Sequence, residues 1–512
     1  MWLGDYLKSI HAIAFRADAS TQIGVGHVMR CLTLANAIQK RGVQTIFVCR
    51  HLPQYLENIL TDSGNQVLRL KSAPNGDLLD DLPQSKLLGV SQQQDATETI
   101  AAIANMKSDW IVVDHYGIDA RWETSLRAKG SRIMAIDDTA DRMHDCDVLL
   151  DQNFYLNADK RYVGKVPSAC ALLLGPRYAL LRDEFRVWRT KTNPRTGPVK
   201  RILVFFGGMD SKNHTGRTIE VLSEICGTKI AVDVVIGAEH SQRQEIESQC
   251  IKNNFHCHVE TSHMAELMSN ADFCIGAGGS ATWERMALGL PTLAKCIAQN
   301  QRKLIEDCAA NGFLIAAGSM FEDELTAATK ICAILAQEEL LVSISKKCME
   351  LVDERGTLRV LRALNCTGIQ MRPATNGDSA RIFEWRNHPS IRNFSLNSKE
   401  ILKTTHEQWL ASILADRDRI LLIGTRNQIE VGVVRFDIQH NEAEVSIYLC
   451  PSPPEPGLGS DLLQSAEQYL RNFRPTTTRI HAQVLDTNEP SKRLFLGMNY
   501  EWSGIKFTKV LR

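Results

Sequence analysis

Short apolar runs alternate with amphipathic stretches along the first part of the chain. Continuous apolar strands that alternate with helices are typical of a parallel sheet covered on both faces. The predicted strands are Ala12–Phe15, Thr45–Cys49, Gln66–Leu70, Trp110–Asp114, Ile133–Asp137 and Val148–Asp151. The predicted helices are His27–Arg41, Pro53–Asp62, Ala96–Lys107 and Ala120–Lys129.

The same alternation restarts after residues 191–200, KTNPRTGPVK, where two prolines and a glycine interrupt it. This composition predicts a linker. Beyond it the predicted strands are Arg201–Phe206, Ala231–Ile236, Phe255–Val259, Phe273–Gly276, Pro291–Ala294 and Phe313–Ala316. Two doubly wound α/β halves joined by a linker predict two Rossmann-like domains that face a cleft.

The order of elements changes near Thr367. A helical region from Met371 is expected first, and then a different succession of elements. It consists of strands at Ile420–Thr425, Val431–Asp437 and Glu444–Leu449, a helix at Leu458–Arg471, a strand at Arg479–Val484 and a helix at Pro490–Gly497. The predicted organisation is an extension at 1–10, domains at 11–190 and 201–366 around the linker 191–200, and a third α/β domain at 367–512.

The amino-acid composition limits the classes of molecule that the chain is expected to bind. The 512 residues contain 59 Lys+Arg and 59 Asp+Glu, and a net charge of zero argues against a nucleic-acid or anionic-membrane partner. With 44% hydrophobic residues and no apolar run long enough to cross a bilayer, the chain is expected to be soluble. Its 14 cysteines form no Cys-x-x-Cys pair, which predicts reduced thiols. Residues 1–10 are too charged for a signal-peptide core, so a cytoplasmic location is expected.

A glycine-rich loop after the first strand opens a helix at His27. Its glycines permit close approach of a ligand, and the N-terminus of the helix offers unpaired N–H groups. The dipole there disfavours imidazolium, so His27 is a candidate base. His27 could also merely cap the helix, and Arg16 and Asp18 could be a surface pair. The candidate residues of this region are Arg16, Asp18, Gly24, Gly26, His27 and Arg30.

Two further glycine turns lie in the second half. Binding of a nucleotide diphosphate through backbone amides requires turns of this kind between a strand and a helix. The residues concerned are Gly207 and Gly208 in the first turn and Gly278, Gly279 and Ser280 in the second. Glycines that only permit close packing are the alternative. Glu284 lies one helical turn further on, where its carboxylate could accept hydrogen bonds from ribose hydroxyls.

The complete spacing Arg-x-Asp-x5-Gly-x-Gly-His-x-x-Arg-Cys, from Arg16 to Cys31, resembles the signature of the UDP-sugar hydrolases of pseudaminic acid biosynthesis. The resemblance covers residues 11–365 and implies a glycosyltransferase B-type fold. It implies release of UDP from UDP-2,4-diacetamido-2,4,6-trideoxy-β-L-altropyranose by direct attack of water at the anomeric carbon, with inversion. His27 would activate the water, and Asp18 would orient His27 or bind a sugar hydroxyl. Asn300 and Gln301 resemble a cleft-lining pair of related transferases.

The third domain resembles GNAT-superfamily N-acetyltransferases through Trp385–Arg392, His406–Trp409 and Gly457-Leu458-Gly459 before a helix. The resemblance implies that acetyl-CoA binds a splayed strand and the amides of the loop. The residues expected to contact it are Leu449, Gly457, Leu458, Gly459, Ser460 and Asn488. Pro454 replaces the usual basic or amide residue and Phe495 replaces the tyrosine of some relatives, so another group must protonate the thiolate if the domain is active. Glu444, Tyr448 and His481 are candidate bases.

These resemblances together imply a bifunctional enzyme. Its third domain would acetylate the 4-amino group of a UDP-amino sugar, and the first two would hydrolyse the acetylated product. No metal is expected, and association with other enzymes of the pathway is a further expectation. Two alternative hypotheses are a UDP-sugar glycosyltransferase and a non-catalytic scaffold that binds sugar nucleotides.

Overall fold

A computed structural model describes residues 10–20, 22–71, 80–106, 108–208, 210–226, 229–320, 324–395, 397–451 and 455–511. The chain divides into two compact units. One unit comprises Ala12–Ala37 and Thr45–Val360, and the other comprises Leu361–Arg512 with the short segment Ile38–Gln44. The first contains two separate sheets and the second contains one.

The first sheet has seven strands in the order β3-β2-β1-β4-β5-β6-β7, and its pairs β1–β4 and β2–β3 are parallel. Its register aligns Ala17 at the end of β1 with Asp114 at the end of β4. The strands are β1 Ala12–Ala17, β2 Gln44–Cys49, β3 Gln66–Arg69, β4 Ser108–Asp114, β5 Arg132–Ile136, β6 Val148–Asp151 and β7 Ala171–Leu174. The helices are α1 Gly26–Gln39, α2 Gln54–Asp62, α3 Gln92–Ile103, α4 Ala120–Arg127, α5 Ala158–Arg161 and α6 Asp183–Arg189.

The second sheet has six strands in the order β10-β9-β8-β11-β12-β13, with parallel pairing throughout. The strands are β8 Arg201–Phe205, β9 Ala231–Ile236, β10 His256–Val259, β11 Phe273–Ala277, β12 Thr292–Lys295 and β13 Ile315–Ala316. The helices are α7 His214–Ile225, α8 Arg243–Lys252, α9 Met264–Asn270, α10 Ala281–Ala287, α11 Arg302–Ala310, α12 Glu324–Leu335, α13 Glu338–Leu351 and α14 Gly356–Ala363. Both sheets therefore have the doubly wound organisation that the apolar pattern predicts.

Residues 191–200 form neither helix nor strand, but they are held in place by Arg195. The guanidinium of Arg195 donates to the backbone carbonyls of Ala271, Leu288 and Met268 in the second sheet's domain. Burial lowers the pKa of this guanidinium to about 10. The segment is thus a connection that packs on one of the domains it joins.

The third sheet has the order β14-β15-β16-β17-β18-β20-β19 and is antiparallel except between β17 and β18. Its strands are β14 Gln370–Pro373, β15 Arg419–Arg426, β16 Ile429–Gln439, β17 Glu442–Leu449, β18 Arg479–Ala482, β19 Glu501–Trp502 and β20 Phe507–Val510. Its helices are α15 Ser379–Asn387, α16 Pro389–Arg392, α17 Lys403–Ala415, α18 Leu458–Phe473 and α19 Glu489–Gly497.

The sequence pattern does not predict four short strands, three of which lie at the edges of their sheets. A helical region was expected from Met371, but residues 370–373 form β14 before the first helix begins at Ser379. β7, β19 and β20 were not predicted either, because each is too short to show a clear apolar period. The predicted extension at 1–10 lies, apart from Ile10, outside the described residues.

Two global features bear on function. In the described part of the chain, every helix is too short or too polar to span a bilayer. All 14 cysteines are free thiols, and nine of them, such as Cys31, Cys49 and Cys274, are buried. The expectation of reduced thiols agrees with this state.

Candidate functional site

The principal cavity lies within the unit that holds the two Rossmann-like sheets, and it has a volume of about 460 Å³. It receives residues from the loops that follow β1 and β4 in the first sheet and β11 and β12 in the second. Of the residues predicted from the sequence, it is lined by Gly26, His27, Arg30, Gly278, Gly279, Ser280, Asn300 and Gln301. The cavity is also lined by Tyr116, Asp138, Gln152 and Asn153, which were not predicted.

His27 occupies the first turn of α1, directly after the glycine loop. Gly24 adopts a positive φ of 81°, and its N–H donates to the carbonyl of Ser20, which closes the loop tightly enough to start the helix at Gly26. The Nδ1 atom of His27 lies 2.5 Å from Oδ1 of Asp114 at the end of β4. An ionised carboxylate can only accept a hydrogen bond, so Asp114 favours the tautomer with the proton on Nδ1, and in that tautomer Nε2 has a free lone pair.

Asp114 is fully buried and is shared between His27 and Arg30. Arg30 donates from Nε to Oδ2 at 2.5 Å and from Nη2 to Oδ1 at 2.6 Å. Burial alone would raise the pKa of the Asp114 carboxyl, but the charges and hydrogen bonds of Arg30 and His27 hold it well below its usual range. Asp114 therefore stays ionised and fixes the orientation of the His27 ring.

A second group of polar contacts beside His27 involves Tyr116 and Asp138. The Tyr116 ring meets the His27 ring edge-on with centroids 4.6 Å apart, and its hydroxyl donates to Asp138 at 2.9 Å. Asp138 also accepts from Arg30 Nη1 at 3.2 Å. Burial, together with the charge of Asp138, raises the pKa of Tyr116 above its usual value, so this hydroxyl stays protonated. Asn300 donates to the same hydroxyl at 3.2 Å and thereby links the second sheet's domain to the first.

Arg16 and Asp18 are paired with each other rather than with a cleft residue. Both are fully buried, and Arg16 donates to Asp18 and to Asp95 on α3. Asp18 also accepts the backbone N–H of Arg50 at 2.7 Å. Of the two roles considered for Asp18, the one of orienting His27 falls to Asp114 instead, and the surface pair considered for Arg16 and Asp18 is a buried one. This network supports the base of the loop.

The two glycine turns of the second domain occupy different places. Gly276 must lack a side chain, because a Cβ there would lie 2.2 Å from the Phe205 carbonyl oxygen of the neighbouring strand. This close approach positions Gly278, Gly279 and Ser280 at the cavity. Gly207 has a φ of 100°, and the Gly208 carbonyl accepts the N–H of Gly237. Gly207 and Gly208 lie at the end of β8, outside the set of residues that line the cavity.

Glu284 lies on α10, one turn beyond the second glycine turn. It lines a smaller pocket of about 50 Å³ that shares Gly26, Arg30 and Ser280 with the principal cavity. The Nε atom of Arg182, from the segment before α6, donates to Oε1 of Glu284 at 3.1 Å. The carboxylate therefore faces a space continuous with the cavity while one of its oxygens is already held.

In the third domain, β17 and β18 pair in parallel only from Glu442 to Glu444. Beyond that point β17 continues to Leu449 along β16 alone, so its other edge is open. Gly457, with a φ of 87°, turns the chain into α18, which places the amides of Leu458, Gly459 and Ser460 at the first turn of this helix. Splayed strands followed by an amide-rich helix start can accept an extended thioester and its pyrophosphate.

The remaining predictions for this domain have mixed outcomes. Asn488 caps α19 by accepting the N–H of Ser491 at 3.1 Å, which gives this side chain a local structural role. Phe495 is buried in the core. His481 is paired with Glu442 at 2.9 Å and Thr508 at 3.0 Å, whereas Glu444 is exposed at the fork of the strands. Pro454 lies outside the described residues.

Burial raises the pKa of the Tyr448 phenol above its usual value, so Tyr448 is a poor base. Glu444 is therefore the candidate base that the geometry favours, because its exposed carboxylate lies where the strands separate. Among the residues that the structure describes, no cluster of three or more His, Cys, Asp and Glu side chains could hold a metal ion.

Comparison with known proteins gives matches for both parts of the chain. Residues 369–499 match the family model described as Acetyltransferase (GNAT) domain. An uncharacterized protein of Methanocaldococcus jannaschii is 22% identical over 514 residues, which cover 96% of each chain. The UDP-2,4-diacetamido-2,4,6-trideoxy-beta-L-altropyranose hydrolase of Campylobacter jejuni is 26% identical over 303 residues, which cover 59% of this chain and 97% of the hydrolase. The spore coat polysaccharide biosynthesis protein SpsG of Bacillus subtilis is 23% identical over 353 residues, covering 68% of this chain and 96% of the relative.

Two doubly wound parallel sheets of Rossmann-like type are thus followed by a third α/β domain that matches the GNAT acetyltransferase family model, as the sequence predicts. The chain is homologous to the Campylobacter jejuni hydrolase and carries the GNAT domain at residues 369–499. The resemblance to a UDP-sugar hydrolase fused to an acetyltransferase is confirmed.

Proposed function

We propose that the two Rossmann-like domains hydrolyse a UDP-linked diacetamido sugar to UDP and the free sugar. The observation that carries this proposal is the pairing of His27 with Asp114 at a cavity that is also lined by the glycine turn Gly278–Ser280. A base and a cradle of backbone amides are the two features that cleavage of a sugar diphosphate by water needs. The relationship to the Campylobacter jejuni hydrolase supports the same chemistry.

In the proposed reaction, His27 Nε2 removes a proton from a water molecule in the cavity. The water oxygen forms a bond to the anomeric carbon while the bond from that carbon to the diphosphate oxygen breaks, and the electron pair leaves with UDP. Attack opposite the leaving group inverts the anomeric centre. Asp114 stabilises the imidazolium that forms, because its carboxylate is ionised and 2.5 Å away.

The departing diphosphate gains negative charge, and the amides at Gly278, Gly279 and Ser280 are placed to receive it. Arg30 is unsuited to that task alone, since its guanidinium is already shared between Asp114 and Asp138. Asn300 and Gln301, together with Gln152 and Asn153, give the cavity amide groups that can bind the acetamido substituents of the sugar. Glu284 is proposed to accept hydrogen bonds from the ribose.

The GNAT domain is proposed to acetylate the 4-amino group of the preceding UDP-amino sugar, with acetyl-CoA as donor. Its match at residues 369–499 and the separation of β17 from β18 support this reaction. The amine nitrogen attacks the thioester carbonyl, the C–S bond breaks, and the amine loses a proton to Glu444 or to water. The thiolate of CoA takes its proton from solvent, since Phe495 offers none. The product would be the substrate of the cavity around His27.

Hydrolysis can be distinguished from transfer and from passive binding by isotope labelling. The protein is incubated with the UDP-diacetamido sugar in water enriched in ¹⁸O, and both products are examined by mass spectrometry. Label in the hydroxyl at C1 of the free sugar supports the proposal, whereas label only in the UDP phosphate contradicts C–O cleavage. UDP release that requires an added sugar acceptor would favour a glycosyltransferase, and no turnover would favour a scaffold.

A further inference from the structure

Arg182 and Glu284 form an ion pair where α6 packs against α10. Arg182 lies at the beginning of α6, and Glu284 lies on α10 behind the glycine turn of the second sheet. The Nε–Oε1 distance is 3.1 Å, and the side chains are 33% and 18% exposed. Both belong to the same compact unit of the chain.

The guanidinium of Arg182 is held by more than this one contact. Its Nη1 atom lies 2.7 Å from Oε1 of Glu184, and its Cζ atom lies 5.0 Å from the centre of the Phe185 ring. Burial by itself lowers the pKa of this guanidinium. The charges of Glu284 and Glu184 raise it by more than that, so the pKa lies above its usual value. Arg182 is therefore a fixed cation with a defined direction rather than a mobile surface side chain.

The space beside this pair continues the proposed nucleotide cleft. The small pocket is lined by both Arg182 and Glu284, and its wall includes Gly26, Arg30 and Ser280 of the principal cavity. A diphosphate held at Gly278–Ser280 would place its nucleoside toward either this pocket or the solvent. The carboxylate of Glu284 is the anionic acceptor that this pocket offers.

We infer that Arg182 is the positioning residue that sets selectivity for a ribonucleotide. By donating to Oε1, it fixes the carboxylate plane of Glu284 and leaves Oε2 to accept hydrogen bonds from the ribose hydroxyls. Arg182 directly precedes α6, and α6 packs against α9 and α10 of the second sheet's domain, so this packing is what orients the acceptor. The inference rests on the proposed function, because it takes the cleft to bind a uridine nucleotide.

Two other roles for Arg182 would change nucleotide binding in different ways. If the ribose had to displace Arg182 from Glu284, the arginine would compete with the ligand, and its removal would tighten binding. A purely structural role in holding α6 against α10 would weaken the binding of all nucleotides equally. Removal of Arg182 lowers the preference for UDP over an analogue that lacks one hydroxyl group only if Arg182 has a positioning role.

The test is isothermal titration of the full chain with UDP and with 2′-deoxy-UDP. The unmodified protein is expected to prefer UDP by about tenfold or more, the typical effect of a hydrogen bond to a charged group. Arg182→Gln should reduce this preference by at least about threefold, and Arg182→Lys should restore part of it. Arg186→Gln, on the same helix and outside both pockets, is the matched control and should leave the preference unchanged.

Substitution of Glu284 gives a second test, which does not depend on whether the Arg182 variant folds. Glu284→Gln should lower the same preference, and adding Arg182→Gln to it should change the ratio little further, because the two residues act through one contact. An unchanged preference in Arg182→Gln, or tighter UDP binding, would overturn the inference while leaving the hydrolase proposal intact. Failure of the unmodified chain to bind UDP would contradict the proposed function and this inference together.

Discussion

The Oδ1 atom of Asp114 lies 2.5 Å from Nδ1 of His27, and this contact joins the end of β4 to the first turn of α1. The register of the first sheet produces it, since Ala17 at the end of β1 is aligned with Asp114. The loop that follows β1 therefore returns His27 to the neighbouring strand. Arg30, one turn along α1, completes the arrangement by holding the other side of the same carboxylate.

Asp114→Asn should lower kcat for UDP release by about a hundredfold or more, with a much smaller change in KM. The amide can hold Nδ1 in the wrong tautomer, and it provides no charge to stabilise the imidazolium. Steady-state kinetics with the UDP-diacetamido sugar measures both constants. Asp62→Asn, at the exposed end of α2, is the control and should behave like the unmodified protein. A variant that folds, as judged by its circular dichroism, and keeps full kcat would show that Asp114 does not support His27.

Gly459→Val should prevent binding of acetyl-CoA without unfolding the third domain. A Cβ at this position would meet only Leu494 and Leu449 side-chain atoms at 3.8–4.0 Å, which is ordinary van der Waals contact. The branched side chain would instead crowd the proposed approach of the pyrophosphate to the backbone. Calorimetric titration with acetyl-CoA checks this, with Gly497→Ala as a control because nothing lies within 4 Å of a Cβ there. Unchanged affinity would rule out this loop as the pyrophosphate site.

His144 should make the stability of the first domain depend on pH. Burial disfavours its charge, but Glu123 at 2.8 Å and Asp137 at 3.6 Å raise its pKa to about 9. The folded pKa lies above the ordinary value of 6.5, so the stabilisation is fully present below pH 6.5 and is lost as the pH rises through 9.

His144→Gln should remove this dependence and lower the free energy of unfolding at pH 6.5 by as much as about 3 kcal/mol. Urea unfolding at intervals between pH 5.5 and 9.5 measures the change. His263→Gln is a suitable control, since His263 is exposed and its pair with Glu266 lies at the surface. Identical pH profiles for the unmodified chain and His144→Gln would exclude the buried imidazolium.

Local sequence features were sufficient to predict most of the fold and half of the site. The apolar runs predict the central strands because these strands are buried on both faces. His27 and Gly278–Ser280 were found because a glycine loop and its helix start are consecutive in the chain. The edge strands β14 and β19 were missed, since two to four residues at the border of a sheet carry no clear period.

The hydrogen-bond partners of the site residues could not be predicted from local sequence features. Asp18 directly follows β1 and Asp114 is the last residue of β4, and only the fold shows that Asp18 pairs with Arg16 while Asp114 pairs with His27. Asp114 is 87 positions from His27 in the chain. Acidic residues at the ends of adjacent parallel strands are a signal that could have suggested it. Arg182 lies in no motif, and its proposed role depends on the packing of α6 against α10.

The central claim is that His27 activates the water that releases UDP, and it is tested most directly by comparing UDP release with UDP binding in His27→Ala. The amides of Gly278–Ser280 remain in this variant, so its dissociation constant for UDP should stay within about threefold of the unmodified value, while UDP release should fall by at least about a hundredfold. UDP release at the unmodified rate would contradict the account. Loss of UDP binding would show instead that His27 is a ligand contact.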